Sequence, residues 1–405
     1  MNSTFMFINQ TAILITRIQS DVSSIQTTVS SSLSTRTIAT TTTTTRAQYN
    51  ATFFAQKTYP TGSGSSPAPV FVVDVNFDNR PDIIVGNFAI GKIGVFLNFG
   101  NGTFYSQTSY LSGIGSNTNP NSLSVTDVNS DNKPDIIVAN QGADNIGVLF
   151  NNGSGSFLPS TTYSTGSSSS PACLSVVDVD NDGKSDIIVA NYATSNVGIL
   201  INVGNGTFRS QTSYSTGTNS NPQGVFVADV NQDNKPDIIV GNYGTNNVGV
   251  FLNYGNGTFR PQTTYSTGSG SKPYSVFVTD VNNDNKPDII VANSGTNNVG
   301  VLLNYGNGTF RSQLTYSTGS SSSPYSVFVT DINKDNEPDI IVANYGTNKV
   351  GILINAGNGT FLPQNTYSTG SNPFSLSVAD LNSDSKPDII VANLNDDNVG
   401  VFLAR

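Results

Sequence analysis

A nine-residue acidic pattern, Asp-x-Asn-x-Asp-x-x-x-Asp with Asp180 in place of the asparagine once, recurs seven times in this 405-residue chain. It begins at Asp74 and restarts at Asp127, Asp178, Asp229, Asp280, Asp331 and Asp380, at intervals of 53, 51, 51, 51, 51 and 49 residues. A period near 50 makes each repeat one supersecondary unit that must stack on its neighbours to bury a core. The seven units therefore belong to one body, although length alone would allow two or three domains.

The fifth unit shows the internal plan. Pro273-Tyr-Ser-Val276-Phe277-Val278-Thr279 is a β-rich run that enters the acidic loop at Asp280, and Ile289-Ile290-Val291-Ala292 leaves it as a fully apolar run of strand length. A turn cluster, Asn293 to Asn298, precedes a third run, Val299-Gly300-Val301-Leu302-Leu303. Asn307-Gly308 marks a hairpin turn. Phe310 to Tyr316 alternates in the manner of a half-exposed fourth strand. Four short antiparallel strands, buried ones first, describe a propeller blade built outward from a central channel. Gly94, Gly147, Gly198, Gly249, Gly300, Gly351 and Gly400 share one place in the third strand. Strand glycines mark close approach, here expected from the neighbouring blade.

The seventh unit ends at Arg405, directly after its third strand, while Asn50 to Gly62 matches the strand it lacks, as the segment from Asn256 to Gly268 shows. A ring needs this split, because a blade made from both termini leaves no frayed edge. The expected fold is all-β: a seven-bladed propeller over residues 50–405, with four antiparallel strands per blade and the last blade closed by residues 51–60. Residues 1–49 lie outside the repeat. Ile15, Ile18, Val22, Ile25 and Val29 have the spacing of a short amphipathic helix, the other reading being a disordered segment; Thr40 to Thr45 resembles a linker or stalk, and the segment fits a secretory leader poorly because no basic residue precedes its apolar stretch.

Oxygen donors at loop positions 1, 3, 5 and 9, with the position 7 carbonyl, suit a hard cation and Ca²⁺ best. The expected ligands of the first loop are Asp74, Asn76, Asp78, Arg80 and Asp82, and of the second Asp127, Asn129, Asp131, Lys133 and Asp135. The third has Asp178, Asp180, Asp182, Lys184 and Asp186, and the fourth Asp229, Asn231, Asp233, Lys235 and Asp237. Asp280, Asn282, Asp284, Lys286 and Asp288 form the fifth, and Asp331, Asn333, Asp335, Glu337 and Asp339 the sixth. Asp380, Asn382, Asp384, Lys386 and Asp388 complete the seventh. The arginine and lysines enter only through their carbonyls. The alternative reading is a metal-free turn held by side-chain to backbone hydrogen bonds. Position 12 falls on valine and the flanks are strands, so these are not EF-hands.

The units resemble FG-GAP repeats, also called VCBS repeats, of integrin-alpha-type propellers, with Val278-Thr-Asp280-Val-Asn282-Asn-Asp284-Asn-Lys-Pro-Asp288-Ile-Ile-Val-Ala292 as a close match. The resemblance implies a seven-bladed propeller with up to seven structural calcium ions and a role in adhesion or extracellular recognition.

Composition narrows the rest. Of 27 acidic residues, 22 occupy loop positions 1, 3, 5 or 9, so seven divalent cations would carry the formal net charge from −9 to about +5. Lys and Arg are too few for a nucleic-acid stripe, no apolar run would span a bilayer, and the absence of histidine removes Ser-His-Asp and Cys-His catalysis. Asp396-Asp397 is read as a solvated turn and Cys173 as a buried packing residue. The low charged fraction, 11%, suits an extracellular or cell-surface protein. Asn50, Asn101, Asn205, Asn256, Asn307 and Asn358 begin N-glycosylation patterns. The expected function is a non-catalytic scaffold that binds a protein; the alternative is a lectin-like propeller that binds a glycan. The expected contact residues are Tyr192, Tyr243, Tyr345 and Phe88, in variable loops opposite the acidic ones.

Overall fold

The computed structural model describes residues 51–405 apart from Ser116; the expectations for residues 1–49 lie outside them. Seven four-stranded antiparallel sheets carry the fold. In the fifth blade the strands are Pro273–Thr279, Asp288–Asn293, Asn298–Leu302 and Leu314–Ser317, in that order from the axis outward. Successive first strands contact one another around the axis, from Pro67–Val73 through Pro373–Ala379 and back. The second strand is buried along its whole length in every blade, which explains its unbroken Asp-Ile-Ile-Val-Ala/Gly-Asn sequence: both faces meet apolar neighbours. Each apolar cluster joins two adjacent blades, so the core is a ring of seven interfaces.

The seventh blade is completed by Lys57–Pro60, paired antiparallel with Asn398–Phe402. Phe53 bridges to Ala404, and the Arg405 N–H donates to the Thr52 carbonyl at 2.8 Å. The same interface repeats around the ring. A fourth-strand tyrosine packs edge-on against the hairpin phenylalanine of the next blade, with centroids 5.2–5.6 Å apart in Tyr59–Phe104, Tyr110–Phe157, Tyr163–Phe208, Tyr214–Phe259, Tyr265–Phe310, Tyr316–Phe361 and Tyr367–Phe53. The last pair crosses the junction, and the Tyr367 hydroxyl donates to the Ala51 carbonyl at 2.7 Å.

Three local readings change. The fourth strand is only four residues long, because Phe310 belongs to a separate hairpin, where it bridges to Asn304. The third-strand glycine yields to a glutamine of its own blade in six blades, and only at Gly147 to the neighbouring blade's backbone, the Ser112 carbonyl. A Cβ at Gly94 would overlap the Gln107 side-chain oxygen. That oxygen accepts from Asn87, and its amide partner donates to the Thr61 carbonyl of the preceding blade at 2.5 Å. Gln211, Gln262, Gln313 and Gln364 repeat the stitch. Asp397, read as part of a solvated turn, accepts the N–H groups of Gly64 and Ser66 at 2.7 and 2.9 Å, which depress its pKa and pin the N-terminal strand's exit to the C-terminal blade. Its neighbour Asp396 accepts from the Ser371 N–H.

Candidate functional site: acidic loops and channel mouth

The acidic loops lie between first and second strands, on the same face as the Asn-Gly hairpins. Their backbone is shaped by the aspartates themselves. The Asp74 carboxylate accepts the N–H groups of Asn76, Phe77, Asp78 and Asn79 at 2.7–3.3 Å, curling the loop round one side chain. Positions 4 and 6 of every loop take positive φ, Phe77 and Asn79 at 65° and 63° in the first. Asparagine, serine and glycine at position 6 hint at this, but position 4 holds Phe77, Gln232 and Lys334 as well, so no residue type marks that conformation there.

Position 9 does more than offer a ligand. Asp82, Asp135, Asp186, Asp237, Asp288, Asp339 and Asp388 are wholly buried. One carboxylate oxygen accepts the position 2 N–H at 2.9–3.2 Å. The other accepts the N–H that opens the third-to-fourth-strand hairpin at 2.7–2.8 Å. The hairpin asparagine then reaches the preceding blade, as Asn98 does to the Leu381 carbonyl at 2.9 Å. Desolvation outweighs these hydrogen bonds and pushes the carboxyls up, to about 6 for Asp82, Asp237 and Asp388 and about 7 for Asp135, Asp186, Asp288 and Asp339. Changing Asp237 to Ala would strand two buried N–H groups, of Val230 and Asn253. We expect a loss of about 2–6 kcal/mol in denaturant unfolding with chelator present. An unchanged midpoint would remove this tie from the account of blade stability.

The donor set fits a hard divalent cation. Asp178, Asp180 and Asp186 bring carboxylate oxygens within 4.8 Å of one another. The other loops have asparagine at position 3, a neutral oxygen donor in the same place. Position 5 is turned outward toward the position 7 lysine, Asp182 to Lys184 at 2.6 Å and Asp131 to Lys133 at 3.2 Å. The sixth loop has Glu337 at position 7 instead, and it accepts from Asn283 of the fifth loop at 2.7 Å. Adjacent acidic loops thus touch across blades, as Gln232 and Asn285 also do.

The opposite face carries the loops between second and third strands and those between blades. Tyr192, Tyr243 and Tyr345 are half-buried there and belong to one aromatic cluster. Tyr345 stacks on Tyr325 at 4.2 Å, and Tyr325 on Tyr274 at 4.1 Å. Phe374 meets Tyr274 and Tyr325 edge-on, while Tyr243 lies between Tyr192 and Tyr274. Tyr274 is desolvated, which raises its phenol pKa, and it is hydrogen-bonded to Gln223. Phe88 sits in a half-buried 3-10 turn, Phe88–Ile90, with no aromatic neighbour among the described residues. Tyr274, Tyr325 and Phe374 were not singled out from sequence. Comparing repeats could have found them: they follow the first-strand proline, where earlier blades have Ala68, Asn121, Ala172 and Gln223. They face a channel cavity of about 140 Å³, also lined by Cys173 and Ser122. Cys173 is half-buried beside the channel, 3.8 Å from the Ser122 hydroxyl, and still packs against the apolar cluster between blades three and four.

Overlapping matches to a family model of FG-GAP-like repeats span residues 74–138, 127–189, 178–240, 229–291, 280–342 and 331–391. The chain belongs to the FG-GAP-like repeat family. No curated protein matches it significantly. Among solved structures, this FG-GAP-like propeller resembles a catalytically inactive histidine-to-alanine variant of virginiamycin B lyase from Staphylococcus aureus with quinupristin. The identity is 15%, covering 87% of this chain and 99% of that one, with a TM-score of 0.61. A lectin from Agrocybe aegerita that recognises non-reducing terminal N-acetylglucosamine is 23% identical over 82% and 86% of the two chains, TM-score 0.54. BBS1N in complex with ARL6DN is 12% identical over 88% and 97%, TM-score 0.58. At these identities the likeness is one of fold. Among the described residues no helix is long and apolar enough to cross a membrane.

Proposed function

We propose that this FG-GAP-like propeller is a non-catalytic binding scaffold of the extracellular space or cell surface, stiffened by calcium in its acidic loops, with a protein partner seated on the aromatic channel mouth. The observation that carries the reading is the cluster itself. Six rings from blades three to seven gather on one side of the channel, half-buried, on the face that differs most between blades. Aromatic anchors among amides supply buried area and hydrogen bonds at low entropic cost. The loops under them are braced, since Asn221 and Asn372 donate to the Tyr192 and Tyr345 carbonyls at 3.1 Å. Rigid loops with varied side chains on a constant frame suit recognition.

Calcium is supported by the all-oxygen donor set and its recurrence in every blade, and a structural role by the position 9 carboxylate, which joins two loops. The lyase neighbour loses activity with one histidine, and this chain has none, which favours binding over that chemistry. A glycan ligand is the second reading, favoured by rings that can stack on a sugar and by the lectin neighbour.

Binding of the full chain to immobilised secreted proteins and to a terminal N-acetylglucosamine array would separate the two readings. Replacing Tyr192, Tyr243 and Tyr345 together by alanine should weaken whichever binding is found by tenfold or more, about 1.4 kcal/mol or above. Lys133, Lys235 and Lys286 changed to alanine, on the acidic face, should leave it within about twofold. If only the lysine set weakens binding, the mouth is not the site.

A further inference from the structure

The hairpins between third and fourth strands hold exposed rings that neither the core nor the channel mouth uses. Phe99, Tyr254 and Tyr305 are 58%, 54% and 57% exposed. Each stands two residues before the asparagine of an Asn-Gly-Thr sequence: Asn101, Asn256 and Asn307. These asparagines are exposed. In each, the threonine hydroxyl two residues on donates to the asparagine side-chain oxygen, Thr103 at 2.9 Å and Thr258 and Thr309 at 2.5 Å. That contact engages the side-chain oxygen and leaves the amide nitrogen free of hydrogen bonds among the described residues. Two further hairpins share the sequence without the ring: Asn205 follows Val203, and Asn358 follows Ala356.

We propose that Asn101, Asn256 and Asn307 are N-glycosylated, and that the first N-acetylglucosamine of each glycan packs on Phe99, Tyr254 or Tyr305. The inference rests on the extracellular reading above. In the transfer, the asparagine Nδ2 forms a bond to C1 of the sugar of a polyprenyl-diphosphate-linked oligosaccharide. The C1–O bond to the diphosphate breaks, the diphosphate leaves with the electron pair, and the amide proton passes to a carboxylate of the oligosaccharyl transferase. An apolar sugar face laid on a half-exposed ring removes both from water. Each ring has one side engaged, by Arg260 on Tyr254 and Arg311 on Tyr305 at 5.4 Å, and by Tyr105 edge-on to Phe99 at 5.1 Å, which fixes the ring for a sugar on the other. All three tips project from the acidic face. Glycans there would keep macromolecules off that face and leave the aromatic mouth open.

The test secretes the full chain from a eukaryotic cell line behind a supplied cleavable leader, so the outcome is independent of where the chain resides natively. The lipid-linked donor is kept limiting, so that occupancy is partial. Occupancy is read site by site by mass spectrometry. The expected result is about twofold or greater occupancy at Asn101, Asn256 and Asn307 relative to Asn205 and Asn358. Enzymatic removal of all glycans should also lower the melting temperature by about 2–4 °C. Phe99→Ala, Tyr254→Ala and Tyr305→Ala together should abolish both differences. The within-chain comparison needs no variant, so poor secretion of the triple variant leaves the test intact. Unoccupied asparagines at the three ring-bearing tips, or occupancy no higher than at Asn205 and Asn358, would overturn the proposal.

Discussion

If the acidic loops hold calcium as proposed, its removal should lower the melting temperature of this propeller sharply, because seven weak sites would act on one cooperative ring. Extracellular calcium modules have dissociation constants near 10⁻⁴–10⁻³ M. At about 1 mM free Ca²⁺, mass action gives roughly 0.4–1.4 kcal/mol per site. Seven sites give on the order of 3–10 kcal/mol, comparable to the whole stability of an ordinary domain. The core between the blades is untouched by chelation, so the fold should survive with a lower melt. Calorimetry with and without excess chelator measures the effect. An unchanged melt in protein verified as metal-free would mean that the acidic loops are self-sufficient turns.

The pH dependence sharpens that test, since the two states should slope in opposite directions. Without a cation, the position 9 carboxyls titrate near 6 to 7 in the folded chain, against an ordinary value of 3.8. The folded state then holds protons that the unfolded state releases. Their stabilising contribution is complete below about pH 4 and is lost as pH rises through about 6–7. Chelated protein should therefore melt higher at pH 5 than at pH 7.5. With calcium bound, the same carboxylates are held ionised by the cation, and acidification weakens binding, so the melt should fall from pH 7.5 to pH 5. Parallel slopes in chelator and in calcium would show that no cation shares these groups.

The ring was legible because its evidence is redundant. Seven acidic loops set the blade count, and the match between Asn50–Gly62 and the other fourth strands places the closure. What single positions do was harder to read. Gly94 was correctly marked as a close approach, yet its partner, Gln107, lies thirteen residues on, where nothing in the local pattern ties the two together. Asp397 looked like surface because its partners, Gly64 and Ser66, are more than 300 residues away in sequence. The mouth was half-seen. Tyr192, Tyr243 and Tyr345 stand out as loop residues, whereas Tyr274 falls within a strand run, and its convergence with Tyr325 comes only from the ring geometry. Position 9 was assigned as a ligand, and its second duty, holding two backbone N–H groups of separate loops, follows only from burial.

Deleting residues 50–62 should destabilise the propeller far more than deleting residues 1–45, which lie outside the repeat pattern. The shorter deletion removes the outer strand of the seventh blade, Lys57–Pro60, and two buried rings, Phe53 and Tyr59. It strips Tyr367 of its edge-on partner and its hydrogen bond to Ala51, and it exposes the Asn398–Phe402 strand as a bare edge. The contacts of Tyr59 with Phe96 and Phe104 go as well, so the cut opens the seam on both sides of one blade. Burial of two large rings counts for about 3–6 kcal/mol. The lost ladder hydrogen bonds add about 0.5–1.5 kcal/mol each. Together the loss is on the order of 5–10 kcal/mol, and for a ring of this size we expect a fall of about 7–13 °C in the melting temperature. The exposed edge should also promote association between chains, visible as higher-mass species in light scattering. A melt within a degree or two of that of the chain lacking residues 1–45 would show that the ring does not depend on its N-terminal strand, and the six complete blades would then have to hold the circle unaided.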